Sequence, residues 1–270
     1  MVLVTVGDAL LDVIVRLAEP LAPGADAVAT TRSGAGGQAA NVAAWAVALG
    51  ASARCVAKRS DDSAGALVAA ELEARGVELV GPADGRTGVV VSLVGPDGER
   101  TMASDRGAAP ALTADQLDEG WFACDCLHIS GYALLASPID GAALRASELA
   151  RSAGARVSVD LSAWTRIRAF GPGRFRERLE TLAPDVIFAN EAEWEMVGAA
   201  YGLAPTAVVK RGVRGILVLG EERVELPAPG VDVVDATGAG DALAAGFLVG
   251  GPELAVDAAA RCVRQLGAMP

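Results

Sequence analysis

The chain has 270 residues, of which 52% are hydrophobic and 21% charged, and this length and composition are those of one folded α/β domain rather than a disordered chain. Acidic side chains outnumber basic ones by 34 to 23, which gives a net charge of −11 and argues against a nucleic-acid-binding surface. The four cysteines are scattered and fit neither a disulfide framework nor a zinc site. No segment has the ~18 apolar residues of a membrane helix, and no basic leader precedes the first strand. We therefore expect a cytoplasmic protein.

The first elements are short apolar runs that end in polar residues. Residues 2–6 are β-branched and end at Gly7-Asp8, the pattern of a buried strand that leads into a loop. A second run, residues 11–17, contains Asp12. Its carboxylate is either a solvated loop residue or an acceptor for substrate hydroxyls, because ligands of open α/β sheets bind beyond the carboxyl ends of strands. Residues 28–32 form another short strand.

A glycine-rich segment, residues 33–37, opens a helix that runs to about Leu49. Asn41 falls near the start of this helix, where its amide can both donate and accept hydrogen bonds and so suits a polyhydroxylated ligand. The spacing Gly34-x-Gly36-x-x-Ala39 also matches a loose dinucleotide-binding pattern, which leaves an oxidoreductase open. In such enzymes the pattern follows the first strand, and here it comes much later, so this alternative is disfavoured.

The next segment departs from simple alternation. A strand over residues 54–58 and a helix over 61–75 are followed by a valine-rich run, 87–94, a turn, 95–98, and a second run, 99–103. This pattern predicts a β-hairpin. Together with residues 11–32 the hairpin forms either a small sheet that closes a cleft against water or an edge of the main sheet.

From residue 113 onward helices and strands alternate, which predicts parallel βαβ units with helices on both faces. His128, the only histidine, lies inside a predicted strand, and we expect it to be structural because no partner for catalysis can be identified. The predicted helices are 114–119, 138–153 and 173–182, and the predicted strands are 124–130, 156–160 and 185–189.

The strand that ends at residue 189 is followed by Asn190-Glu191-Ala192-Glu193. Asn190 and Glu193 either order water around a divalent metal ion near phosphates or form a capping box at the start of a helix. Strands over 207–210, 216–219 and 223–226 come next. Two helices, the last over 253–266, complete the chain.

The segment Asp235-Ala236-Thr237-Gly238-Ala239-Gly240-Asp241 precedes an apolar helix. Its glycines permit a turn that directs backbone N–H groups to one point, and the helix N-terminus adds its positive dipole, so the segment predicts an anion cradle. Asp241 either caps the helix or accepts the proton of a hydroxyl that attacks a bound phosphate. The chain has no Gly-x-x-x-x-Gly-Lys-Ser/Thr loop, so an ordinary P-loop enzyme is excluded.

Two segments, Gly36-Gly37-Gln38-Ala39-Ala40-Asn41 and 235–241, resemble the two signatures of the ribokinase family, the phosphofructokinase-B-type carbohydrate kinases. Asn190-x-x-Glu193 and Gly212-x-x-Gly215 resemble two further motifs of that family. The resemblance implies a single kinase domain, 1–270, with a three-layer α/β/α sandwich, a mainly parallel central sheet and a small β-lid from about 11–32 and 86–105. It also implies ATP-dependent phosphorylation of a hydroxymethyl group of a small sugar.

The resemblance assigns roles to particular residues. Asp241 would be the general base, and the N–H groups of Gly238, Ala239 and Gly240 would form the anion hole. Glu193 would bind Mg²⁺ through water, and Asp235 would help to form a monovalent-cation site for K⁺. The substrate would be held by Asp12, Gly37, Gln38 and Asn41, and the nucleotide by Asn190, Glu193, Lys210, Gly212, Gly215 and Thr237. A homodimer through the lid is a further expectation.

The identity of the acceptor is the open question. Family members that act on phosphorylated sugars tend to place a basic residue where this chain has Gln38, which favours an uncharged sugar. A cation could instead come from Arg16, Arg86, Arg100, Arg106 or Arg166.

Aromatic residues make up only 4% of the chain, which favours a sugar over a nucleoside, although Trp45, Trp164 or Phe170 could stack on a base. A non-catalytic sugar or nucleotide sensor with the same fold is the other alternative.

The connection between Gly198 and Thr206 is shorter than is usual in relatives, and the sequence stops at Met269-Pro270, where relatives commonly continue with another helix. We therefore expect a nucleotide pocket that is either unusually open or able to accept other purine triphosphates.

Overall fold

The computed structural model describes residues 1–97, 100–199 and 202–270. The strands are β1 (Val2–Val6), β2 (Leu10–Leu17), β3 (Ala29–Gly36), β4 (Ser52–Val56), β5 (Val77–Val80), β6 (Thr87–Val94), β7 (Arg100–Gly107), β8 (Cys126–Ser130), β9 (Arg156–Asp160), β10 (Val186–Asn190), β11 (Thr206–Lys210), β12 (Ile216–Leu219) and β13 (Arg223–Leu226). The helices are α1 (Gln38–Ala48), α2 (Ser63–Ala74), α3 (Ile139–Ser152), α4 (Trp164–Phe170), α5 (Pro172–Leu182), α6 (Glu191–Met196), α7 (Ala239–Gly250) and α8 (Pro252–Cys262).

Nine strands form the central sheet, in the order β13-β12-β11-β10-β9-β8-β1-β4-β5. All neighbours from β11 to β5 run parallel, and β12 and β13 are antiparallel additions at one edge. Successive side chains of β1 enter opposite cores: Leu3 packs with α1, α7 and α8, whereas Val4 packs with α3 and α5. The predicted α/β/α sandwich is therefore confirmed.

A second sheet, with the order β3-β2-β6-β7, is separate from the central one. The β6–β7 hairpin is therefore not an edge of the central sheet. In this second sheet β2 pairs in parallel with β6, and β3 and β7 are the outer strands. Gly98 and Glu99, which belong to the predicted hairpin, lie outside the described residues.

Two predictions of helices were wrong in detail. Residues 114–119 form two short 3₁₀ turns instead of one helix, because Thr113 and Asp118 each start a new turn. Asp118 accepts a hydrogen bond from Gly120 N at 2.7 Å. The last helix ends at Cys262, after which the chain turns back. Val263 O then accepts hydrogen bonds from the N–H groups of Val234 and Asp235 at 2.7 and 3.2 Å.

The topology of the central sheet brings several polar residues together at one of its edges. The parallel strands β1, β9, β10 and β11 all end at one edge of the central sheet, and α1 and α7 both begin there. Polar residues at or just after the strand ends are thereby brought together although they are far apart in sequence. Within the described residues, no helix is long and apolar enough to cross a membrane.

Candidate active site

Two cavities lie on either side of the loop 235–241. The first cavity has a volume of about 510 Å³, and the second has about 590 Å³ and a mainly apolar lining. Thr237, Gly238 and Asp241 line the first, whereas Ala236, Ala239 and Gly240 line the second. One short loop therefore borders both cavities. The other residues that line the first cavity are Asp8, Leu10, Asp12, Gly37, Gln38, Asn41, Val90, Arg100, Met102, Ser104, Arg106, Tyr132, Ser162, Thr165 and Arg166.

Asp241 lies in the first turn of α7, at the floor of the first cavity. The N-cap of α7 is Gly238, so the alternative in which Asp241 caps the helix is wrong. Its carboxylate oxygen Oδ2 accepts a hydrogen bond from Asn41 Nδ2 at 2.7 Å. The other side-chain atom of Asn41, Oδ1, is buried and has no hydrogen-bond partner among the described residues. An acceptor is thus available beside Asp241 for a substrate hydroxyl.

Burial raises the pKa of Asp241 from its ordinary 3.8 to about 7, because desolvation disfavours the charged form. The hydrogen bond from Asn41 works in the opposite direction, since it stabilises the carboxylate. The neighbouring Asp160 carboxylate adds to the rise, and the Lys210 ammonium opposes it. A carboxylate whose pKa lies near neutral pH can both accept a proton and release it again.

The backbone before Asp241 has the geometry of an anion cradle. Gly238 has a left-handed φ of 77°, and a Cβ at this position would lie 2.5 Å from the side chain of Ala268, so only glycine is accommodated. In residues 1–97, 100–199 and 202–270, the N–H groups of Gly238 and Gly240 have no hydrogen-bond partner, and that of Ala239 makes a long bond of 3.3 Å to Ala236 O. Free N–H groups at the N-terminus of α7 can bind an anion.

Asp12 enters the first cavity from β2, next to the start of α1. A Cβ on Gly36 would lie 2.1 Å from the Asp12 carboxyl group, so the glycine makes room for it. Burial raises the pKa of Asp12 to about 6, and the charge of Arg100 partly opposes this shift. Gly37 has φ 97° and approaches the Asp8 carbonyl so closely that a Cβ would lie 2.4 Å from its oxygen.

Gln38 lines the first cavity, but its carbonyl oxygen is engaged within the protein. Oε1 accepts hydrogen bonds from the hydroxyls of Ser130 and Ser162. Gln38 therefore ties α1 to the ends of β8 and β9.

Asn190 and Glu193 form the capping box that was one of the two alternatives. Glu193 accepts hydrogen bonds from Asn190 N and Nδ2, both at 2.8 Å, and Asn190 Oδ1 accepts from Glu193 N at 2.9 Å. Glu193 is almost fully buried, and burial raises its pKa, which the positive charge of Lys210 partly offsets. The capping role does not exclude a contact with water beside a metal ion.

Lys210 points toward the anion cradle. Its ammonium group donates hydrogen bonds to both oxygens of the fully buried Asp160, at 2.9 and 2.7 Å. A Cβ on Gly240 would lie 3.2 Å from Lys210 Nζ, so the positive charge sits next to the cradle. Burial alone would lower the pKa of Lys210, but the carboxylates of Asp160 and Glu193 raise it.

The second cavity is lined by small and apolar side chains near β11 and α8. Gly212 and Gly215, from the predicted motif, both contribute to it. Gly215 has φ 83°, and a Cβ there would lie 2.0 Å from Leu226 O. Val213 is 90% exposed at the rim of this cavity. A flat apolar ligand such as a purine would cover such a surface.

Asp235 holds the cradle loop to the end of the chain. Its carboxylate accepts hydrogen bonds from Thr237 N at 2.8 Å, Thr237 Oγ1 at 2.5 Å and Gly267 N at 3.0 Å. Although burial raises the pKa of Asp235, these hydrogen bonds hold it below its usual value. Arg100 Nη1 hydrogen-bonds the Thr237 hydroxyl and lies 3.9 Å from Asp235 Oδ1. Among the described residues, no cluster of three His, Cys, Asp or Glu side chains could hold a metal ion.

Asp8, Tyr132 and Asp160, which lie in or near the first cavity, were not predicted as site residues, and Arg106 was named only as one of several candidate cations. Asp8 and Arg106 form an ion pair with Nε–Oδ2 and Nη2–Oδ1 distances of 2.6 and 2.7 Å, and Tyr132 lies beside it with its ring 5.6 Å from the guanidinium. Asp160 was identified only as a strand end. The available signal was the same for Asp8 and Asp160, because both are acidic residues at or just after the end of a buried strand.

Other candidates lie elsewhere. Trp45 is buried in the core under α1, and Trp164 and Phe170 face the arginines 168 and 174, so none of the three lines the first cavity. Arg16 and Arg86 do not line it either. His128 is fully buried and bonded to Ser158 at 3.0 Å, and burial lowers its pKa to about 4, in agreement with a structural role.

Comparison with known proteins places the chain in a family. Residues 2–268 match the family described as pfkB family carbohydrate kinase. An ATP-dependent ribose-1-phosphate kinase of Halopiger xanaduensis is 34% identical over 242 residues, which cover 85% of this chain and 77% of the relative. The adenosine kinase of Sinorhizobium meliloti superposes with a TM-score of 0.87 and 25% identity over 99% of this chain and 95% of the other. A ribokinase II from E. coli, solved in complex with ATP and Mg²⁺, superposes with a TM-score of 0.84 and 22% identity over 99% and 94% of the two chains. The chain belongs to the pfkB family of carbohydrate kinases.

Proposed function

We propose that the protein transfers the γ-phosphate of ATP to a hydroxymethyl group of a small sugar, with Asp241 as the general base. The observation that carries this proposal is the position of Asp241 in the loop that separates the two cavities, beside free backbone N–H groups and with a pKa raised to about 7. The second cavity would hold ATP, and the first would hold the sugar. Family membership supports both assignments.

The reaction would proceed by in-line attack. Asn41 and Asp12 would orient the sugar hydroxyls, and Asp241 would take the proton of the attacking hydroxyl as the new P–O bond forms. The bond between the γ-phosphorus and the bridging oxygen would break, and ADP would leave through the second cavity. The N–H groups of Gly238 and Gly240, with the Lys210 charge beside them, would stabilise the negative charge on the transferred group.

Mg²⁺ would neutralise phosphate charge when it is bound with ATP. The carboxylates of Asp160 and Glu193 lie near the cradle, and their oxygens already accept hydrogen bonds from Lys210 and Asn190. These residues suit a magnesium ion that is held through water molecules rather than by direct ligation.

The residues present do not suit a K⁺ site at Asp235. Three hydrogen bonds already satisfy its carboxylate, and the Arg100 guanidinium is close by. We expect kcat in potassium chloride to lie within about twofold of kcat in tetramethylammonium chloride, the scatter expected for nonspecific salt effects. A loss of most activity without K⁺ would contradict this expectation and support a monovalent-cation site at Asp235.

The test of the proposed function is ADP release from ATP with a panel of pentoses, hexoses, sugar phosphates, sugar acids and nucleosides. We expect at least one sugar to be phosphorylated, and Asp241→Asn to lower kcat by at least ~100-fold, the scale of general-base effects. Near-normal turnover in this variant would refute Asp241 as the base. Ligand binding without any ADP release would favour the sensor alternative.

A nucleoside acceptor is the second candidate. Among the described residues that line the first cavity Tyr132 is the sole aromatic one, and its ring already faces Arg106. Stacking of a nucleobase therefore has little support on this side. Adenosine in the panel tests the point directly.

We also propose that the second sheet acts as a lid, because Arg100, Met102, Ser104 and Arg106 of β7 line the first cavity. A homodimer formed through the outer strands of this sheet is a further proposal, which light scattering at several protein concentrations tests.

A cytoplasmic location is also a proposal. The four unpaired cysteines support it, since reduced thiols are usual in the cytoplasm.

A further inference from the structure

Strand β7 presents alternate residues to the first cavity. Arg100, Met102, Ser104 and Arg106 line it, whereas the residues between them do not. Side chains two residues apart point to the same face of a strand, so β7 places two arginines over one cavity. Arg166, from α4, adds a third. Three guanidinium groups around a single cavity are notable in a chain of net charge −11.

The three arginines are engaged to different degrees. Arg106 is fixed by Asp8, and its Nη1 donates to Tyr132 O at 3.2 Å, so three of its five N–H groups are used. Arg100 is directed to Thr237. In the described part of the chain, the Arg166 guanidinium has no hydrogen bond or ion pair.

Two hydroxyl groups that line the same cavity also have no partner among the described residues. The side chains of Ser104 and Thr165 line the first cavity, and neither makes a hydrogen bond to any described residue. Ser104, Thr165 and Arg166 are solvent-exposed, so their donor groups are open to a ligand, and Arg106 has two N–H groups left. These four residues, Ser104 and Arg106 of β7 with Thr165 and Arg166 of α4, line one cavity and are referred to as the donor wall. Opposite charge and several hydrogen-bond donors are what a phosphate or carboxylate group requires.

The neutral Gln38 does not contradict an anionic ligand. Its oxygen is bonded to Ser130 and Ser162, and its side chain also hydrogen-bonds Asp241, so the polar groups of Gln38 are engaged within the protein. The cations come instead from the lid strand and from α4, which are distant from the first signature in sequence.

We infer that the acceptor sugar carries an anionic group, a phosphate ester in the first instance, and that the donor wall binds it. The inference rests on the proposed kinase function and names the acceptor class. In the reaction, a hydroxyl of the sugar phosphate forms the new P–O bond with the γ-phosphorus of ATP. Its proton passes to Asp241, ADP leaves, and a sugar bisphosphate is released.

The test compares ribose 1-phosphate, ribose and gluconate as acceptors for the wild-type protein, Arg166→Gln and Arg168→Gln. Arg168 lies on the same helix but stacks on Trp164 and does not line the cavity, so its variant is the matched control. We expect the wild type to prefer ribose 1-phosphate to ribose. The ratio of their kcat/KM values should fall by about tenfold to hundredfold in Arg166→Gln, mainly through KM, as expected for loss of a charge-assisted hydrogen bond. The control should keep the wild-type ratio.

The outcomes separate the two proposals. A preference for gluconate that is lost in Arg166→Gln supports the anion subsite and identifies its group as a carboxylate. Equal use of ribose and ribose 1-phosphate, or a ratio unchanged by Arg166→Gln, overturns the inference and leaves the kinase function intact.

If no acceptor of the full panel releases ADP, the kinase function fails, and binding decides the inference. Calorimetric titration of ribose 1-phosphate in the presence of a non-hydrolysable ATP analogue should then show binding to the wild type that is at least about tenfold weaker for Arg166→Gln. Absent or equal binding overturns it.

Discussion

Replacement of Asp241 by Asn should stabilise the protein while it lowers turnover by at least ~100-fold. The unfolded carboxyl group ionises near pH 3.8 and the folded one near pH 7, so between these values the folded state binds more protons than the unfolded state. Stability therefore falls as the pH rises through this range, and the full cost of ionising Asp241 is present above pH 7. Asn carries no charge and keeps an oxygen that can accept the hydrogen bond from Asn41.

The size of the effect follows from the pKa shift. Each pKa unit corresponds to about 1.36 kcal/mol, so a rise of about 3 units costs the wild type at most about 4 kcal/mol at pH 8. The edge of Asp241 that faces the cavity is open to water, which makes this figure an upper limit. At pH 5 the cost is smaller, about 2 kcal/mol, because the pH is then only about one unit above the ordinary pKa of the carboxyl group. The gain in unfolding free energy from Asp241→Asn should therefore be larger at pH 8 than at pH 5 by about 2 kcal/mol.

The assay is urea unfolding of the ligand-free protein at pH 5 and pH 8 at constant ionic strength. Asp62→Asn is the control. Hydrogen bonds from Thr87 and Gly65 lower the pKa of Asp62 to about 2, so its carboxylate is ionised in both states throughout this range. Its replacement should therefore destabilise the protein equally at both pH values. A gain for Asp241→Asn that is the same at pH 5 and pH 8 would refute the raised pKa.

Three further predictions follow from the site. The kcat/KM of the free enzyme should fall about tenfold per pH unit below pH 7 as Asp241 becomes protonated, and a flat profile from pH 5 to 8 would exclude it as the base. Gly238→Ala should lower kcat by about 100-fold, which is the scale of a lost oxyanion donor. The reason is that Gly238 has φ 77° and an added Cβ would lie 2.5 Å from the Ala268 side chain, which would displace the loop. Gly141→Ala is the control and should leave kcat unchanged, because no atom lies near an added Cβ there. Lys210→Met should lower the unfolding free energy by about 3–5 kcal/mol, because it leaves the buried Asp160 carboxylate without its ion-pair partner. Urea unfolding measures this loss, and a loss under about 1 kcal/mol would contradict the importance of the Lys210–Asp160 pair.

The sequence predicted those parts of the fold and site that depend on local pattern. The strand over residues 156–160 and the last strands, 216–219 and 223–226, have the predicted bounds, since short apolar runs between turn residues define them. Asn41 and Asp241 were named from their positions at a helix start and Asp12 from its place in the second apolar run, and all three line the first cavity.

What the sequence did not predict depends on contacts between distant segments. The Asp8–Arg106 pair joins residues 98 positions apart, and the Lys210–Asp160 pair joins residues 50 apart. No local pattern specifies which of the 23 basic residues meets a given carboxylate. Helix α4 was missed for a related reason, because it is short and buries only Ile167 fully, so it carries little periodicity.

The meeting of α1 and α7 has a consequence for how activity responds to changes far from the substrate. The N-termini of both helices lie at the site, and their bodies bury many alanines in one common core. The spacing of Asn41 and Asp241 is thus governed by the thickness of that alanine layer. An added methyl group at Ala245, which lines neither cavity, would push the Asn41 and Asp241 side chains apart. The turnover number would then depend on how the interior between α1 and α7 is packed, and it would fall before the fold itself is lost.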